Sequence, residues 1–356
     1  MMRYWRPFLT FALIGFSSPL YAPAQNKSKV NVSAVHTAQA GAKQQDRRVQ
    51  TIQFESKMVG KTLPYNMLLP VGYNQPANRA KRYPVLYLLH GGSGHYTDWL
   101  EYHNWLDCSQ CGNLADYAKP YELIIIMPEG NNGWYTDSAT VPTDKYESYI
   151  LEELIPDVQH RYRTIDSRHG RAIAGASMGG YGALKFGVKY PQTFAFAGSM
   201  SGALGAASWT EADLHGFERI WRTLLPVFGP EGSLTRATND VNRLYRELPS
   251  SGIAALPYVY LDCGTEDPLL ATNRSFVDIL LARKIPHEYR QLPGTHAPPY
   301  FDAQVQEVLT IAARKMRIPA AGVRRMKVRY IVLEKGLVPR VRVAQVPSLN
   351  DRTDED

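Results

Sequence analysis

Cysteine is scarce in this chain of 356 residues, which contains only Cys108, Cys111 and Cys263. Three thiols exclude a disulfide framework as the basis of the fold. A chain of this length can bury a hydrophobic core large enough to be stable without disulfides. Cys263 lies beside a run of strand-forming residues, so we expect a buried thiol that acts as a small hydrophobe.

The short spacing of the other two cysteines leaves two interpretations. In an oxidising compartment Cys108 and Cys111 can form a disulfide with each other. Alternatively they join upstream histidines in a zinc cluster, because thiolates and imidazoles are the ligands that zinc prefers. The histidines are His90, His95 and His103. We expect no metal, because the sequence contains no second pair of closely spaced ligands.

An excess of positive charge is also missing from the main part of the chain. Of the formal charge of +7, two positive charges lie in residues 1–24 and three in residues 318–356, which leaves +2 for residues 25–317. Nucleic-acid binding needs a basic stripe interleaved with aromatic residues, and these residues contain none. We therefore expect no nucleic-acid partner.

No apolar run at the amino end is long enough to cross a bilayer. Residues 8–16 form a short apolar stretch after Arg3 and Arg6, and Ala22-Pro23-Ala24 follows it. A basic start, a short apolar centre and an Ala-x-Ala end are typical of a secretory signal peptide. We expect residues 1–24 to be a signal peptide that is cleaved after Ala24; the alternative is an amphipathic anchor that stays on the protein.

Continuous apolar runs alternate with helical patterns along the rest of the chain. Because the runs lack polar alternation, they indicate parallel strands buried on both faces, and the helical segments between them supply the crossovers. The predicted parallel strands are residues 83–89, 123–127, 171–176, 194–200, 258–261 and 288–292. Two edge strands, 49–56 and 62–69, precede them, and helices are predicted at 104–117, 145–162, 178–190, 269–283 and 301–317. The fold class is α/β with a mostly parallel central sheet and helices on both faces.

This pattern divides the chain into four segments. After the signal peptide comes a polar leader, residues 25–47, and then one α/β domain at residues 48–317. Residues 318–356 form a tail to which we assign no role; a loosely attached hairpin or a disordered segment is the expectation.

A serine stands between two glycines directly after one predicted strand and directly before a helix. The sequence is Gly175-Ala176-Ser177-Met178-Gly179. With 27 glycines in the chain this pattern can arise by chance, so the strand before it and the helix after it decide its meaning. A strand–turn–helix context exposes the hydroxyl at the end of the sheet, which predicts that Ser177 is a nucleophile.

A serine nucleophile needs a base and an acid that orients the base. His296 follows the last predicted strand, where an imidazole can reach back to Ser177, and is the expected base. Asp267 lies where a strand gives way to a helix and is the expected acid, although Asp-Pro is also a helix start. The rival acids are Asp262 and Glu266, and the chain order Ser–Asp–His favours Asp267.

Backbone N–H groups are expected to stabilise the negative charge that develops on the substrate. Met178, directly after the nucleophile, supplies one N–H, and Gly92 in the glycine-rich loop after strand 83–89 supplies the other. Substrate contacts are expected from four residues near these loops: Ser93, Tyr135, Tyr181 and Trp221. The last belongs to a helical insertion between residues 200 and 261, which either covers a substrate pocket or simply packs on the sheet.

Several motifs together resemble the putative esterase family of α/β-hydrolases. They are residues 89–99, 134–138, 146–156, 175–184, 200–203 and 264–270. The family includes tributyrin-type esterases, S-formylglutathione hydrolases, feruloyl and acetylxylan esterases, enterochelin esterases and mycolyltransferases. The resemblance covers residues 49–317 and is strongest to exported tributyrin-esterase-like members. It implies an α/β-hydrolase in which Ser177, Asp267 and His296 form the triad and the amides of Gly92 and Met178 the oxyanion hole.

The sequence departs from this family at two places. The pair Cys108 and Cys111 stands where the family pattern has no particular cysteines, and the tail after Arg317 has no counterpart.

The expected function is that of an exported serine carboxylesterase, periplasmic or extracellular, which hydrolyses a small-molecule or carbohydrate-linked ester through an acyl-enzyme. No metal or organic cofactor is expected, nor stable membrane insertion after the signal peptide is removed. Three alternatives share the fold: S-formylglutathione hydrolysis, acyl transfer of the mycolyltransferase kind, and a non-catalytic glycan-binding module.

Overall fold

The computed structural model describes residues 46–101, 108 and 111–317. The predicted signal peptide and most of the leader, as well as the tail, lie outside these residues. The described strands are β1 Val49–Ile52, β2 Glu55–Ser56, β3 Lys61–Thr62, β4 Tyr65–Leu68, β5 Val85–Leu89, β6 Ile124–Pro128, β7 Arg171–Ala176, β8 Phe196–Met200, β9 Tyr258–Gly264 and β10 His287–Leu292.

Eight of these strands form one sheet in the order β1-β4-β6-β5-β7-β8-β9-β10, while β2 and β3 pair with each other. All neighbours from β6 to β10 are parallel, and β4 runs antiparallel to both β1 and β6. The mostly parallel sheet confirms the α/β fold class predicted from the apolar runs.

Helices cover both faces of the sheet. They are α1 Asp98–Glu101, α2 Leu114–Tyr117, α3 Tyr146–Ser148, α4 Ile155–Arg161, α5 Met178–Lys189, α6 Glu218–Phe228, α7 Leu234–Asn239, α8 Val241–Glu247, α9 Leu270–Ala282 and α10 Pro298–Lys315. Successive side chains of a strand point to opposite faces, so Tyr87 enters the core with α4, α5, α8 and α9, and Leu86 and Leu88 enter the core with α2 and α10. Burial on both faces explains the unbroken apolar runs.

The two amino-terminal strands differ from the prediction. Instead of continuous strands at 49–56 and 62–69, each is divided, because the chain leaves the main sheet near Phe54 and the small β2–β3 ribbon turns at Gly60, where φ is +66°. The prediction of an edge position holds for β1 only. All four residues of β4 are buried, because this strand lies between β1 and β6.

Two predicted helices also need correction. Of the helix expected at 104–117, the described residues form only Leu114–Tyr117, because Cys108 and Cys111 are joined in a disulfide and Gly112 has a left-handed φ of +82°. The segment 145–162 is helical, but its middle turn, Tyr149–Leu154, is a π-helix. Pro156 follows this turn, and a proline ring inside a helix displaces the carbonyl four residues before it and removes one hydrogen bond.

The helical insertion predicted after β8 is formed by α6, α7 and α8. It lies on the same side of the sheet as α5, because Leu224, Phe228, Val241 and Tyr245 belong to the core that α5 enters. Within the described ranges, none of the helices combines the length and apolar character that crossing a bilayer requires.

Candidate active site

Ser177 occupies a sharp turn between β7 and α5. Its φ of 55° and ψ of −114° are strained for a residue with a side chain, so the surroundings must hold this conformation. They do so through two backbone hydrogen bonds: the Ser177 N–H donates to the Met200 carbonyl at 2.9 Å, and the Ser177 carbonyl accepts from the Ala203 N–H at 3.0 Å. The turn is therefore tied to the end of the neighbouring strand, β8.

Glycine is required on both sides of this serine. A Cβ atom at Gly175 would lie 2.5 Å from the Gly179 carbonyl carbon, and a Cβ at Gly179 would lie 2.5 Å from the Leu89 carbonyl oxygen. No side chain fits at such distances, so the two glycines allow α5 to start directly against β5 and β7.

His296 approaches Ser177 from a loop that follows the last strand of the sheet. It lies in the loop between β10 and α10, and its Nε2 atom is 2.9 Å from Ser177 Oγ. The imidazole packs edge-on against the ring of Phe301, with the ring centroids 5.2 Å apart. The two side chains thus lie next to each other, as the sequence predicts, and the imidazole is oriented to accept the hydroxyl proton.

Asp267 completes a chain of hydrogen bonds. Its Oδ2 atom is 2.8 Å from His296 Nδ1, and its Oδ1 accepts the Leu269 N–H at 2.7 Å. Burial opposes ionisation of this carboxyl, but the hydrogen bonds from His296 and from the Leu269 N–H outweigh it and hold the pKa of Asp267 below its ordinary value. An ionised carboxylate only accepts, so Nδ1 carries the proton and Nε2 is free to accept from Ser177.

The two rival acids lie elsewhere. Asp262 is inside β9, which extends to Gly264, and its Oδ1 accepts from the Tyr300 hydroxyl at 2.9 Å. Glu266 is exposed, and its carboxylate accepts from the Gly294 N–H and from the Thr265 hydroxyl. Of the three candidate acids, only Asp267 contacts the imidazole.

Gly92 and Met178 both line the cavity that contains Ser177. Within the described part of the chain neither N–H meets a hydrogen-bond acceptor. Met178 is the first residue of α5, so its N–H belongs to the unpaired first turn at the positive end of the helix dipole. Two free donors beside the serine oxygen can bind a developing negative charge.

A buried carboxylate that the sequence analysis missed supports the Gly92 loop. Glu129 follows β6 and accepts the Asn131 N–H at 2.7 Å, while its other oxygen lies 3.2 Å from His95 Nδ1. Burial raises its pKa, but His90, Asn131 and His95 outweigh this and lower the pKa of Glu129 to about 2. The signal that could have indicated it is an acidic residue at the carboxyl end of a central strand.

His90 has a structural explanation in the same loop. Its Nδ1 lies 2.8 Å from the Gly91 carbonyl oxygen, and its Nε2 accepts the Gly130 N–H at 2.9 Å. Cys108 and Cys111 are bonded to each other and offer no thiolate, so the zinc cluster considered from the sequence lacks these ligands. Among the described residues no group of three or more His, Cys, Asp or Glu is arranged to hold a metal ion.

A cavity of about 990 Å³ opens above Ser177 and His296. Its walls are mostly apolar, although polar side chains contribute to them. The apolar lining includes Trp134, Trp209, Leu214, Phe217, Ile220, Leu269 and Ile279, and the polar lining includes Asn132, Asp213, Thr223, Asp240, Asn242, Arg246, Thr272 and Ser275. A volume of this size admits a substrate much larger than an acetyl ester.

Both interpretations of the helical insertion hold, for different side chains. Trp209 and Phe217 line the cavity, whereas Leu224 and Phe228 are fully buried in the core. Leu225 does neither, since it is 42% exposed.

The four residues expected to contact substrate do not lie on the cavity wall. Tyr135 and Tyr181 are fully buried beneath it, because their hydroxyls donate to the carbonyls of His90 and Asn239. Trp221 packs against the core on the other side of α6, with the Arg236 guanidinium 5.5 Å from its ring. The Ser93 N–H donates to Asn132 Oδ1 at 2.7 Å, which positions the glycine-rich loop. Trp134, next to Tyr135, does line the cavity, together with Trp209 and Phe217.

Comparison with known proteins gives a consistent result. Residues 56–310 match the model of a family described as "Putative esterase". Esterase MT1326 of Mycobacterium tuberculosis is 31% identical over 267 residues, which are 70% of this chain and 56% of that protein. The chain thus spans little more than half the length of this relative. The acetyl esterase of Caldicellulosiruptor saccharolyticus is 28% identical over 257 residues, 70% of this chain and 91% of that enzyme.

A solved structure agrees with these relatives. That of a ferulic acid esterase is 26% identical in sequence and superimposes with a TM-score of 0.60, covering 75% of this chain and 98% of the other. The family match begins at Ser56 in β2 and extends into α10, so it includes every strand of the main sheet except β1.

Proposed function

The chain belongs to the putative esterase family of α/β-hydrolases, and on that premise we propose that it is a serine carboxylesterase with Ser177 as the nucleophile. The observation that carries the proposal is the unbroken chain of hydrogen bonds from Ser177 Oγ through the His296 ring to Asp267 Oδ2, with distances of 2.9 and 2.8 Å. A serine hydroxyl is a weak nucleophile unless a base takes its proton, and this arrangement supplies the base.

The proposed reaction has two halves. Ser177 Oγ attacks the ester carbonyl as His296 Nε2 takes its proton, and Asp267 stabilises the resulting imidazolium. The carbonyl oxygen becomes negative and is bound by the N–H groups of Gly92 and Met178. When the carbon–oxygen bond to the alcohol breaks, His296 returns the proton to the leaving alcohol and an acyl-enzyme remains. Water, deprotonated by His296, then attacks the acyl carbon and releases the acid with Ser177 restored.

The proposed substrates are short-chain, aryl or sugar esters. Two features support this range: the apolar walls of the cavity, formed in part by Trp134, Trp209 and Phe217, and its volume of about 990 Å³, which exceeds the need of an acetyl group. The names of the relatives, an acetyl esterase and a ferulic acid esterase, point to small and aromatic acyl groups respectively. The residues that contact such substrates are proposed to be those of the cavity wall.

Two other reactions use the same acyl-enzyme. A thioester such as S-formylglutathione can acylate Ser177, and an alcohol acceptor can replace water in the second half, as in acyl transfer. The products separate these reactions: ester hydrolysis releases an acid and an alcohol, and thioester hydrolysis releases an acid and a thiol. Transfer to an added acceptor yields a new ester, and a glycan-binding module yields none of these products.

Export and the domain division belong to the proposal as well. We propose that residues 1–24 direct export and are removed, and that residues 48–317 are the catalytic domain. The disulfide between Cys108 and Cys111 supports an oxidising compartment, because such bonds persist mainly outside the cytosol. Mass spectrometry of the protein isolated from culture medium or periplasm tests cleavage after Ala24.

The experiment that tests the function compares wild type with Ser177→Ala on p-nitrophenyl acetate and butyrate. The wild type should release p-nitrophenol and be labelled covalently by a fluorophosphonate probe, and Ser177→Ala should lose nearly all of both signals while its circular dichroism is unchanged. Ser251→Ala, at an exposed serine away from the cavity, is the matched control and should behave as wild type. Undiminished turnover in folded Ser177→Ala would overturn the mechanism.

A further inference from the structure

A buried ammonium group lies beneath the active-site cavity. Lys185 is on α5, two turns after Ser177, and its side chain is fully buried. Its Nζ atom donates to three acceptors: the Tyr135 carbonyl at 2.6 Å, Thr136 Oγ1 at 2.7 Å and Glu147 Oε2 at 2.7 Å. All three N–H bonds of the ammonium are therefore used.

Two of these acceptors belong to a strained turn. Trp134 and Tyr135 have φ values of 51° and 49°, and two consecutive left-handed residues with side chains are costly for the backbone. The turn directs the Trp134 ring to the cavity wall, where its Nε1 donates to Thr223 Oγ1 on α6 at 2.9 Å. The ammonium of Lys185 thus holds the Tyr135 carbonyl and the Thr136 hydroxyl, which itself donates to the carbonyl of the cavity-lining Trp134 at 2.9 Å.

The same turn supports the loop that carries Gly92. The Tyr135 hydroxyl donates to the His90 carbonyl at 3.0 Å, directly before the two glycines of that loop. The Tyr135 ring lies between Gly130 and Gly182, where a Cβ atom would come within 2.5 and 2.7 Å of it respectively. A shift of the turn therefore moves the Tyr135 ring, and the ring moves the His90 carbonyl.

The ion pair that anchors this arrangement, Lys185 with Glu147, is buried and bonded to further groups. Glu147 is on α3 and also contacts Lys189 Nζ and the Tyr190 hydroxyl, both at 2.5 Å. Its backbone N–H is bonded to Asp137, at the end of the strained turn. A buried ion pair is weak evidence for stability, because apolar side chains of similar volume often stabilise a fold equally well. Stability alone therefore does not account for this pair, and the contacts of Lys185 with the 134–136 turn point to another role.

We propose that Lys185 is a positioning residue, which fixes the 134–136 turn and through it both the Trp134 wall and the Gly92 loop, with Glu147 as the fixed counter-charge. The inference depends on the proposed esterase function for its kinetic consequence, because a misplaced Gly92 N–H weakens binding of the oxyanion in the transition state more than binding of the ester. Loss of the ammonium should therefore lower kcat with little change in KM.

The helix supplies a matched control one turn further along. Lys189 pairs with the same Glu147 but does not contact the 134–136 turn. Lys185→Met should lower kcat for p-nitrophenyl butyrate roughly ten- to hundredfold, as expected for a small displacement of catalytic groups, and change KM less than about threefold. Lys189→Met should keep kcat near the wild-type value. Equal kcat in the two folded variants would overturn the proposal.

A second variant guards against misfolding, since Lys185→Met leaves Glu147 with one cation fewer. Lys185→Met/Glu147→Gln removes both charges of the pair, and it should fold and show the same loss of kcat. Full activity of this folded double variant would also overturn the proposal.

Hydrogen–deuterium exchange gives a readout that needs no activity. Amides of residues 90–94 and 130–137 should exchange faster in Lys185→Met than in Lys189→Met, with the amides of β9 and β10 unchanged. If wild type proves inactive on esters, the proposed function fails, while this exchange pattern still tests the positioning role. Unchanged exchange in both loops would refute it.

Discussion

Asp267 Oδ2 lies 2.8 Å from His296 Nδ1, and the Asp267 side chain is completely excluded from solvent. A charged, buried carboxylate at this place fixes the imidazole ring in one orientation and one tautomer. The neighbouring Asp262 is equally buried but bonds to Tyr300 instead. The two carboxyl groups therefore allow the effect of a contact with His296 to be compared with that of a buried carboxyl without this contact.

Asp267→Asn should lower kcat on p-nitrophenyl esters by roughly a thousand- to ten-thousandfold, because an amide that donates to Nδ1 forces the wrong tautomer on His296. Asp262→Asn, the control, should leave kcat near the wild-type value, since the amide oxygen can still accept from Tyr300. Steady-state kinetics on both variants checks this. Equal losses would show that the imidazole does not depend on Asp267 alone.

The stability of the fold should depend on the protonation of Asp262. Burial raises the pKa of Asp262 to about 7, although the hydrogen bond from the Tyr300 hydroxyl opposes this. The folded state then binds a proton more tightly than the unfolded state, so this group makes the wild type lose stability as the pH rises from about 4 to about 7. In Asp262→Asn that loss is absent.

Urea unfolding at about pH 5 and about pH 8 measures the effect. The free energy of unfolding of Asp262→Asn, relative to wild type, should be higher at the upper pH. A difference that is the same at both pH values would contradict the raised pKa.

Gly179→Ala should destabilise the fold, because the added methyl group would lie 2.5 Å from the Leu89 carbonyl oxygen and 2.7 Å from that of His90. Overpacking of this kind costs on the order of 1–3 kcal/mol or more. Gly92→Ala is the matched control for stability, since a Cβ there meets nothing within 4 Å. Thermal unfolding followed by circular dichroism should show a lower Tm for Gly179→Ala only.

Phe217→Ala should change substrate selectivity. Phe217 lines the cavity although it is 56% exposed, so its removal takes away apolar contact at the mouth. We expect KM to rise about three- to tenfold for aryl or long-chain esters and little for acetate. Leu234→Ala removes a side chain that is 78% exposed and outside the cavity lining, and it should leave the KM series unchanged. A uniform rise for all esters would argue against a role in selectivity.

The sequence predicts the sheet well because burial on both faces leaves a continuous apolar run that needs no tertiary information. The turn at Ser177 is predictable for a similar reason, since Gly175 and Gly179 reflect close approach of backbones. The choice between Asp267 and Asp262 depends on where β9 ends. The sequence indicates Asp267 through the chain order Ser–Asp–His and not through a local pattern. The geometry agrees with these site predictions, and the catalytic roles themselves remain predictions.

Side-chain direction at the site was not predictable. Tyr135 and Tyr181 stand next to cavity-forming segments, yet each hydroxyl finds an acceptor far away in the chain, on His90 and Asn239. The pair of Lys185 and Glu147 is separated by 38 residues, and no local periodicity marks either member as buried. In the turn with positive φ at Trp134 and Tyr135, it is Trp134 and not Tyr135 that lines the cavity, and neither residue type gives any sign of such a backbone conformation.

The contact between Ser177 and His296 joins residues 119 positions apart, and the histidine precedes only the last described helix. During synthesis on a ribosome, a chain that ends before residue 296 has the serine but no acceptor for its proton. With the roles proposed for Ser177 and His296, we expect such a nascent chain not to hydrolyse esters, whatever part of the sheet has already formed. On the same premise, we expect activity only after β10 and the loop that carries His296 have been added.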